Sequence, residues 1–199
     1  FVSRHEASMF CAWRGKRLPT EAEFERAAMS GLDSPWPWTM EGGPKCAHTN
    51  FSYEGGRCSN DTYPTGARPS HVTAEGIFDL AGNVAEWVSD DFQSYPDSTT
   101  TLPSNVPLGI VRGGSYLTPR SFLKPKARLP ISMRARASDI GFRCARDEAT
   151  LTPDGVIRGE LPVIETYEGE SNVEDAVYGR GLEQPRSLIV LGETVWVST

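Results

Sequence analysis

Apolar positions recur at helical spacing twice near the start of the chain and then lose that period. In Ser3-Arg-His-Glu6 the serine side chain is placed to cap the Glu6 amide while the glutamate reaches back, a capping box. Ala7, Phe10 and Cys11 follow on one helical face, and Gly15 ends the helix. Thr20-Glu-Ala-Glu23 is a second capping box after Pro19, leading into Phe24, Ala27 and Ala28 and ending near Gly31. The pattern predicts two short helices joined by a tight Gly15–Pro19 connection.

From Gly31 to about Ile110, Pro, Gly, Asn, Asp and aromatics dominate, with strand-like alternation only at Ile77–Leu80 and Val84–Val88. Loops this long in a compact domain need internal clamps such as ions, disulfides or buried tryptophans, and Trp36, Trp38 and Trp87 are the candidate anchors. Ile110–Tyr116 and Ile140–Ala145 read as strands, which makes the fold class α+β. Near Asp147–Gly155 charged and turn residues replace the earlier pattern. The stretches at 181–190 and 194–198 then read as strands, either a terminal hairpin packed on the main domain or the opening of a repeat.

The 199 residues suit one domain plus an appendage. No apolar run approaches membrane-spanning length. A net charge of −6 and a pI near 5.2 argue against nucleic acid, since no basic stripe exists to neutralise phosphates. Lys and Arg gather in Arg112–Arg146, either as a face for a peptide or small anionic ligand or as solvated and internally paired arginines. Four cysteines without a C-x-x-C pair, and three histidines far apart in sequence, argue against zinc. The even cysteine count favours disulfides and leaves three pairings open. The chain begins with Phe and displays no signal peptide.

Four blocks in fixed order carry a family resemblance: Arg17-Leu-Pro-Thr-Glu-Ala-Glu-Phe-Glu25, Asp79-Leu-Ala-Gly-Asn-Val-Ala-Glu-Trp87, Val111-Arg-Gly-Gly-Ser-Tyr116 and Asp139-Ile-Gly-Phe-Arg-Cys144. Together they resemble the formylglycine-generating, or sulfatase-modifying-factor, family over Val2 to about Arg146. Val2-Ser-Arg-His-Glu-Ala7 is similar to a mid-domain stretch of that family, so the opening of the domain is expected to lie outside this chain. The resemblance implies a C-type-lectin-like fold over residues 1–147; residues 148–199 are read as linker and β-rich extension, whose stretches at 181–190 and 194–198 resemble the start of an NHL-type propeller. It pairs Cys11 with Cys144, which leaves Cys46 for Cys58. Such bridges persist in oxidising compartments, which implies an extracytoplasmic location, periplasmic or secreted.

The same resemblance implies structural calcium. Its first site carries over to the side chains of Asp79 and Glu86 with the carbonyls of Gly82 and Val84, hard oxygens of the kind calcium takes. Ala85 stands where the family usually has Trp. The second site carries over to Asn50 and Phe51, with Asp61 or Asn60 as the later ligand.

The family's oxidase uses two cysteines after G-G-S-Y to bind copper(I) and activate oxygen, turning a sulfatase cysteine into formylglycine. Here Thr118 takes the first position and Leu123 the second, and neither can replace a thiolate toward a soft metal. The resemblance therefore implies that copper is absent. What remains is a groove of Ser115, Tyr116, Thr118, Arg120, Arg128, Arg134 and Arg136, whose guanidinium groups suit a carboxylate or sulfate. The reading is a calcium-stabilised binding or accessory module of a larger multidomain protein. The alternative is an oxidoreductase of the family, sulfoxide-synthase-like with non-haem iron or formylglycine-generating-like, with its metal ligands outside this chain.

Overall fold

A computed structural model describes residues 1–29, 35–38, 43–68, 72–95, 106–147, 187–191 and 194–198. The first capped helix, α1, spans Arg4–Trp13, with Ser3 and Glu6 completing the reciprocal capping box, and Gly15 follows at φ 67°. The second, α2, spans Glu21–Met29; Glu23 N–H donates to Thr20 Oγ1 at 3.2 Å and Thr20 N–H returns to Glu23 Oε2 at 2.8 Å. Both helices therefore start where the sequence places them, because capping is local chemistry.

The strands are β1 (Ser52–Tyr53), β2 (Gly56–Arg57), β3 (Ala85–Asp91), β4 (Leu108–Arg112), β5 (Leu129–Ser132), β6 (Ile140–Phe142), β7 (Cys144–Asp147), β8 (Ser187–Leu191) and β9 (Thr194–Ser198). The central sheet runs β5-β4-β3-β6, antiparallel except for the parallel β3–β6 pair. Strand β3 is buried on both faces. Ala85 and Trp87 join Ala7, Cys11 and Leu18 beneath α1, while Val88 joins Phe24, Ala27 and Ala28 beneath α2. Alternation along the strand divides the two faces, so Glu86 points the same way as Val88. Trp87 Nε1 donates to the Val2 carbonyl at 3.0 Å.

Three differences from the sequence reading follow from tertiary contacts. The Ile110–Tyr116 strand ends at Arg112, because Gly113 and Gly114 adopt φ of 84° and 71°. The Ile140–Ala145 strand is two strands interrupted at Arg143, where the chain leaves β3 and crosses to pair with β9 and Arg17. Ile77–Leu80 forms no strand; Phe78 makes an isolated bridge with Val72.

Both disulfides have the pairing that the family resemblance implied, with Cα atoms 5.5 Å apart for Cys11–Cys144 and 5.1 Å for Cys46–Cys58. A third core cluster gathers Trp36, Trp38, Phe51, Ala81 and Leu123, with Cys46 and Cys58 against it. All three anticipated tryptophan anchors are thus in the core. Strands β7, β9 and β8 form a second sheet in that order. The expected boundary at 147/148 and the linker beyond it lie outside the described residues. No described helix is long and apolar enough to cross a membrane.

Candidate functional site

The Gly113–Gly114 turn delivers Ser115 to the interior, where it is fully buried. Its hydroxyl donates to Asp139 Oδ2 at 2.7 Å and accepts the Leu117 N–H at 3.1 Å. Tyr116, also buried, places its hydroxyl 3.1 Å from Ser138 Oγ. The Thr118 hydroxyl accepts the Ser115 N–H at 2.7 Å and lies 3.2 Å from the Ser115 carbonyl, to which it donates. Leu123, at the end of a 3₁₀ turn over Arg120–Leu123, is fully buried in the tryptophan cluster. The two positions that would carry thiolates thus hold a turn-bracing hydroxyl and a core hydrocarbon. A Cβ added at Gly114 would stand 2.9 Å from Thr118 Oγ1 and 3.1 Å from the Phe122 backbone, so the turn is packed closely against both.

The arginines expected to form an anion-binding face are largely engaged internally. Arg128 holds Glu21 through both carboxylate oxygens, at 2.6 and 2.8 Å, and lies between the rings of Phe92 and Tyr95. Arg136 pairs with Glu6 at 2.6 Å, and the Arg136 hydrogen bond, chiefly, lowers the Glu6 pKa to about 2. The buried Arg112 reaches Glu21, Glu25 and the Pro125 carbonyl. Arg120 is exposed and sits 5.8 Å from the Trp36 ring centroid, and Arg134 is exposed. Of the proposed cluster, Arg128 and Arg136 are bound to helix carboxylates that lie far away in sequence.

The Asp79–Glu86 loop also differs from the ligand set carried over to it. Arg143 Nη2 lies 2.6 Å from Glu86 Oε1, 3.1 Å from the Phe78 carbonyl and 3.2 Å from the Asp79 carbonyl, while its Nε holds Glu86 Oε2. A guanidinium thus ties the Glu86 carboxylate to the backbone carbonyls of Phe78 and Asp79. Burial opposes its charge, but Glu86 outweighs that cost and keeps the Arg143 pKa above its ordinary value. Burial pushes the Asp79 carboxyl up, and the hydrogen bond from Gly66 N–H and the nearby Arg143 offset this only in part. Gly82 packs on the neighbouring loop, where an added Cβ would stand 2.6 Å from the Asn50 carbonyl. Val84 adjoins β3. Of the expected calcium ligands, Glu86 is thus already charge-neutralised by Arg143, while the Asp79 carboxylate takes the Gly66 N–H at 2.6 Å.

The Asn50 loop is different. Asn50 is 1% exposed, and among the described residues no donor reaches its Oδ1. Its Nδ2 donates to the Asp61 carbonyl at 2.9 Å, and its own carbonyl accepts Asn83 N–H at 2.8 Å. The Phe51 carbonyl accepts Cys58 N–H at 2.9 Å and, like any carbonyl, keeps a second lone pair. Asp61 is exposed, with Oδ1 taking the Thr62 N–H. Asn50 Oδ1, the Phe51 carbonyl and the Asp61 carboxylate are hard oxygens that suit calcium. A buried acceptor without a donor costs about 1–3 kcal/mol, which a cation would offset.

Sequence reading missed Asn83, which holds the two loops in register: Oδ1 accepts Tyr63 N–H at 2.7 Å and Nδ2 returns to the Tyr63 carbonyl at 3.0 Å. The Gly82-Asn83 pair was the available signal, since Asn tolerates left-handed backbone better than most residues, and Asn83 has φ 68°. Asp139, the partner of Ser115, was likewise quoted within a block and given no role. Among the described residues no cluster of three or more His, Cys, Asp and Glu could hold a metal ion.

Comparison with known proteins agrees with this architecture. A family model described as the sulfatase-modifying factor enzyme 1-like domain matches residues 1–148. A bovine (Bos taurus) formylglycine-generating enzyme is 34% identical over 170 residues, covering 76% of this chain and 44% of the relative. A bovine inactive C-alpha-formylglycine-generating enzyme 2 is 32% identical over 157 residues, covering 72% and 48%. The chain therefore spans about half the length of these curated relatives. The solved structure of PvdO from Pseudomonas aeruginosa superposes with a TM-score of 0.56 at 28% identity, covering 71% of this chain and 58% of the other. The expected C-type-lectin-like α+β fold is the one observed.

Proposed function

The chain belongs to the sulfatase-modifying factor enzyme 1-like family, and on that premise we propose that it is a non-catalytic binding or accessory module, stabilised by calcium at the Asn50–Asp61 loop. It works in an extracytoplasmic, multidomain setting, a reading supported by two disulfides that an oxidising compartment would preserve. The observation that carries the proposal is the pair of side chains at the thiolate positions. Thr118 is hydrogen-bonded into its own turn and Leu123 is sealed among tryptophans, so no soft ligand faces that groove. A relative of similar identity bears the name of an inactive formylglycine-generating enzyme, which favours the same view. Retention of Ser115 is accounted for by its bond to Asp139 and adds nothing in favour of catalysis.

The test is direct. A cysteine-containing sulfatase peptide incubated with the protein, copper(I) and oxygen is expected to show no aldehyde by mass spectrometry; robust aldehyde formation would overturn the reading. The oxidoreductase alternative draws on the relative named as an active formylglycine-generating enzyme. Sequence flanking this chain separates the two readings: a histidine-rich helical domain favours an oxidoreductase, and propeller repeats favour the module.

A further inference from the structure

The two disulfides differ in what can reach them. Cys11 and Cys144 are 0% and 2% exposed, between α1 and β7, whereas Cys46 and Cys58 are half-buried at the edge of the tryptophan cluster. Thiol–disulfide exchange requires a thiolate to approach a sulfur, so an external dithiol meets Cys46–Cys58 first. That bridge spans a sequence separation of 12 and encloses Asn50 and Phe51. Asp61 lies three residues beyond Cys58.

The oxygens of this loop fall into two halves. Asn50 and Phe51 are buried and anchored, since Asn83 N–H bonds the Asn50 carbonyl and Thr49 Oγ1 bonds the Ala81 carbonyl. Asp61 is exposed and sits between two supports: the bridge at Cys58, and Tyr63 held by Asn83. Between the halves run the two-residue strands β1 and β2, too short to be stable by themselves, and two hydrogen bonds, Asn50 Nδ2 to the Asp61 carbonyl and Cys58 N–H to the Phe51 carbonyl. The disulfide is the covalent strut that reinforces these bonds and helps keep the exposed carboxylate in register with the buried amide. Removing one support raises the ordering cost of multidentate binding and weakens affinity.

We propose that the Cys46–Cys58 disulfide is a redox switch on the cation site: the oxidised loop holds calcium, and the reduced loop releases it. The inference rests on the calcium reading given above. The step is ordinary exchange. A thiolate of an external dithiol attacks one sulfur, the other leaves as thiolate, and the second thiol resolves the mixed disulfide. Two electrons and two protons pass to the protein, and the reductant becomes a disulfide.

Calcium titration of the full chain by calorimetry tests it. The oxidised protein is compared with protein reduced by limited dithiothreitol, alkylation and mass mapping showing that Cys46 and Cys58 alone are labelled, and with unalkylated reduced protein after re-oxidation. The expected result is a Kd at least tenfold higher on reduction, restored by re-oxidation and reproduced by Cys46→Ser/Cys58→Ser. If that variant fails to fold, the reversible wild-type cycle decides. An unchanged Kd overturns the switch and leaves the calcium reading standing. No calcium binding by the oxidised chain overturns both, and labelling of Cys11 and Cys144 first overturns the assignment of the labile bond.

Discussion

Two neighbouring loops meet the same problem, oxygens turned into the protein interior, and resolve it differently. At residues 78–86 the chain supplies its own cation, the Arg143 guanidinium, whose two nitrogens hold both oxygens of Glu86. At residues 50–61 no donor among the described residues reaches Asn50 Oδ1. The first carboxylate is paired by the fold itself, whereas the second loop keeps a buried acceptor open, as the proposed cation site requires. An acidic motif is thus a weaker guide to a metal than a buried amide that lacks a partner, because an arginine far away in sequence can neutralise the acid.

The comparison breaks most visibly at Arg143. Arg143→Met leaves the Glu86 carboxylate buried and unpaired, and is expected to cost about 3–5 kcal/mol in denaturant unfolding, with or without calcium. Removing both charges, Arg143→Met with Glu86→Leu, is expected to recover much of that loss. A calcium-dependent rescue of the single variant would mean that the two loops are alike after all.

Next in size is the response to the ion itself. Saturating calcium, at about 100 Kd, is expected to stabilise the oxidised protein by about 2.7 kcal/mol, read as a rise in Tm that a chelator reverses. Asn50→Ala should abolish that rise. In chelator alone the same substitution is expected to cost about 1 kcal/mol, since it deletes an acceptor that had no donor together with the Nδ2 bond to the Asp61 carbonyl. A calcium response that survives Asn50→Ala would place the ion elsewhere.

The smallest effect sharpens the contrast from the other side. The Asp79 carboxyl is raised in the folded state, chiefly by burial, so its ionisation becomes a stability cost as pH rises above the ordinary value of 3.8. Asp79→Asn should therefore be neutral or slightly stabilising at pH 7, with the advantage vanishing as pH falls below 3.8. The substitution suits the backbone too, because φ at this position is 57° and Asn accepts that region. If Asp79 were a calcium ligand, the same change would lower the calcium-dependent Tm shift.

How much was legible depended on the range of the interaction. Ser3–Glu6 and Thr20–Glu23 announced their helices because a cap is settled within four residues. Arg112, Arg128 and Arg136 clustered in the sequence and suggested a ligand-facing surface. Their carboxylate partners, Glu21, Glu25 and Glu6, lie on the two helices, and nothing in local spacing reveals such pairs. The break of the Ile140–Ala145 strand at Arg143 was hidden for the same reason, since there the chain changes partner from β3 to β9 and Arg17, which are far away in sequence.

The sequence by itself determined the two capped helices, the even set of cysteines, the family and the loss of both thiolates, all of which depend on residue identity or on short-range geometry. Tertiary structure alone decided which charges are already neutralised, which sulfurs a reductant can meet and which buried oxygen still lacks a donor. Those properties depend on burial and on partners brought together across the fold, where desolvation raises the cost of every polar group left unpaired.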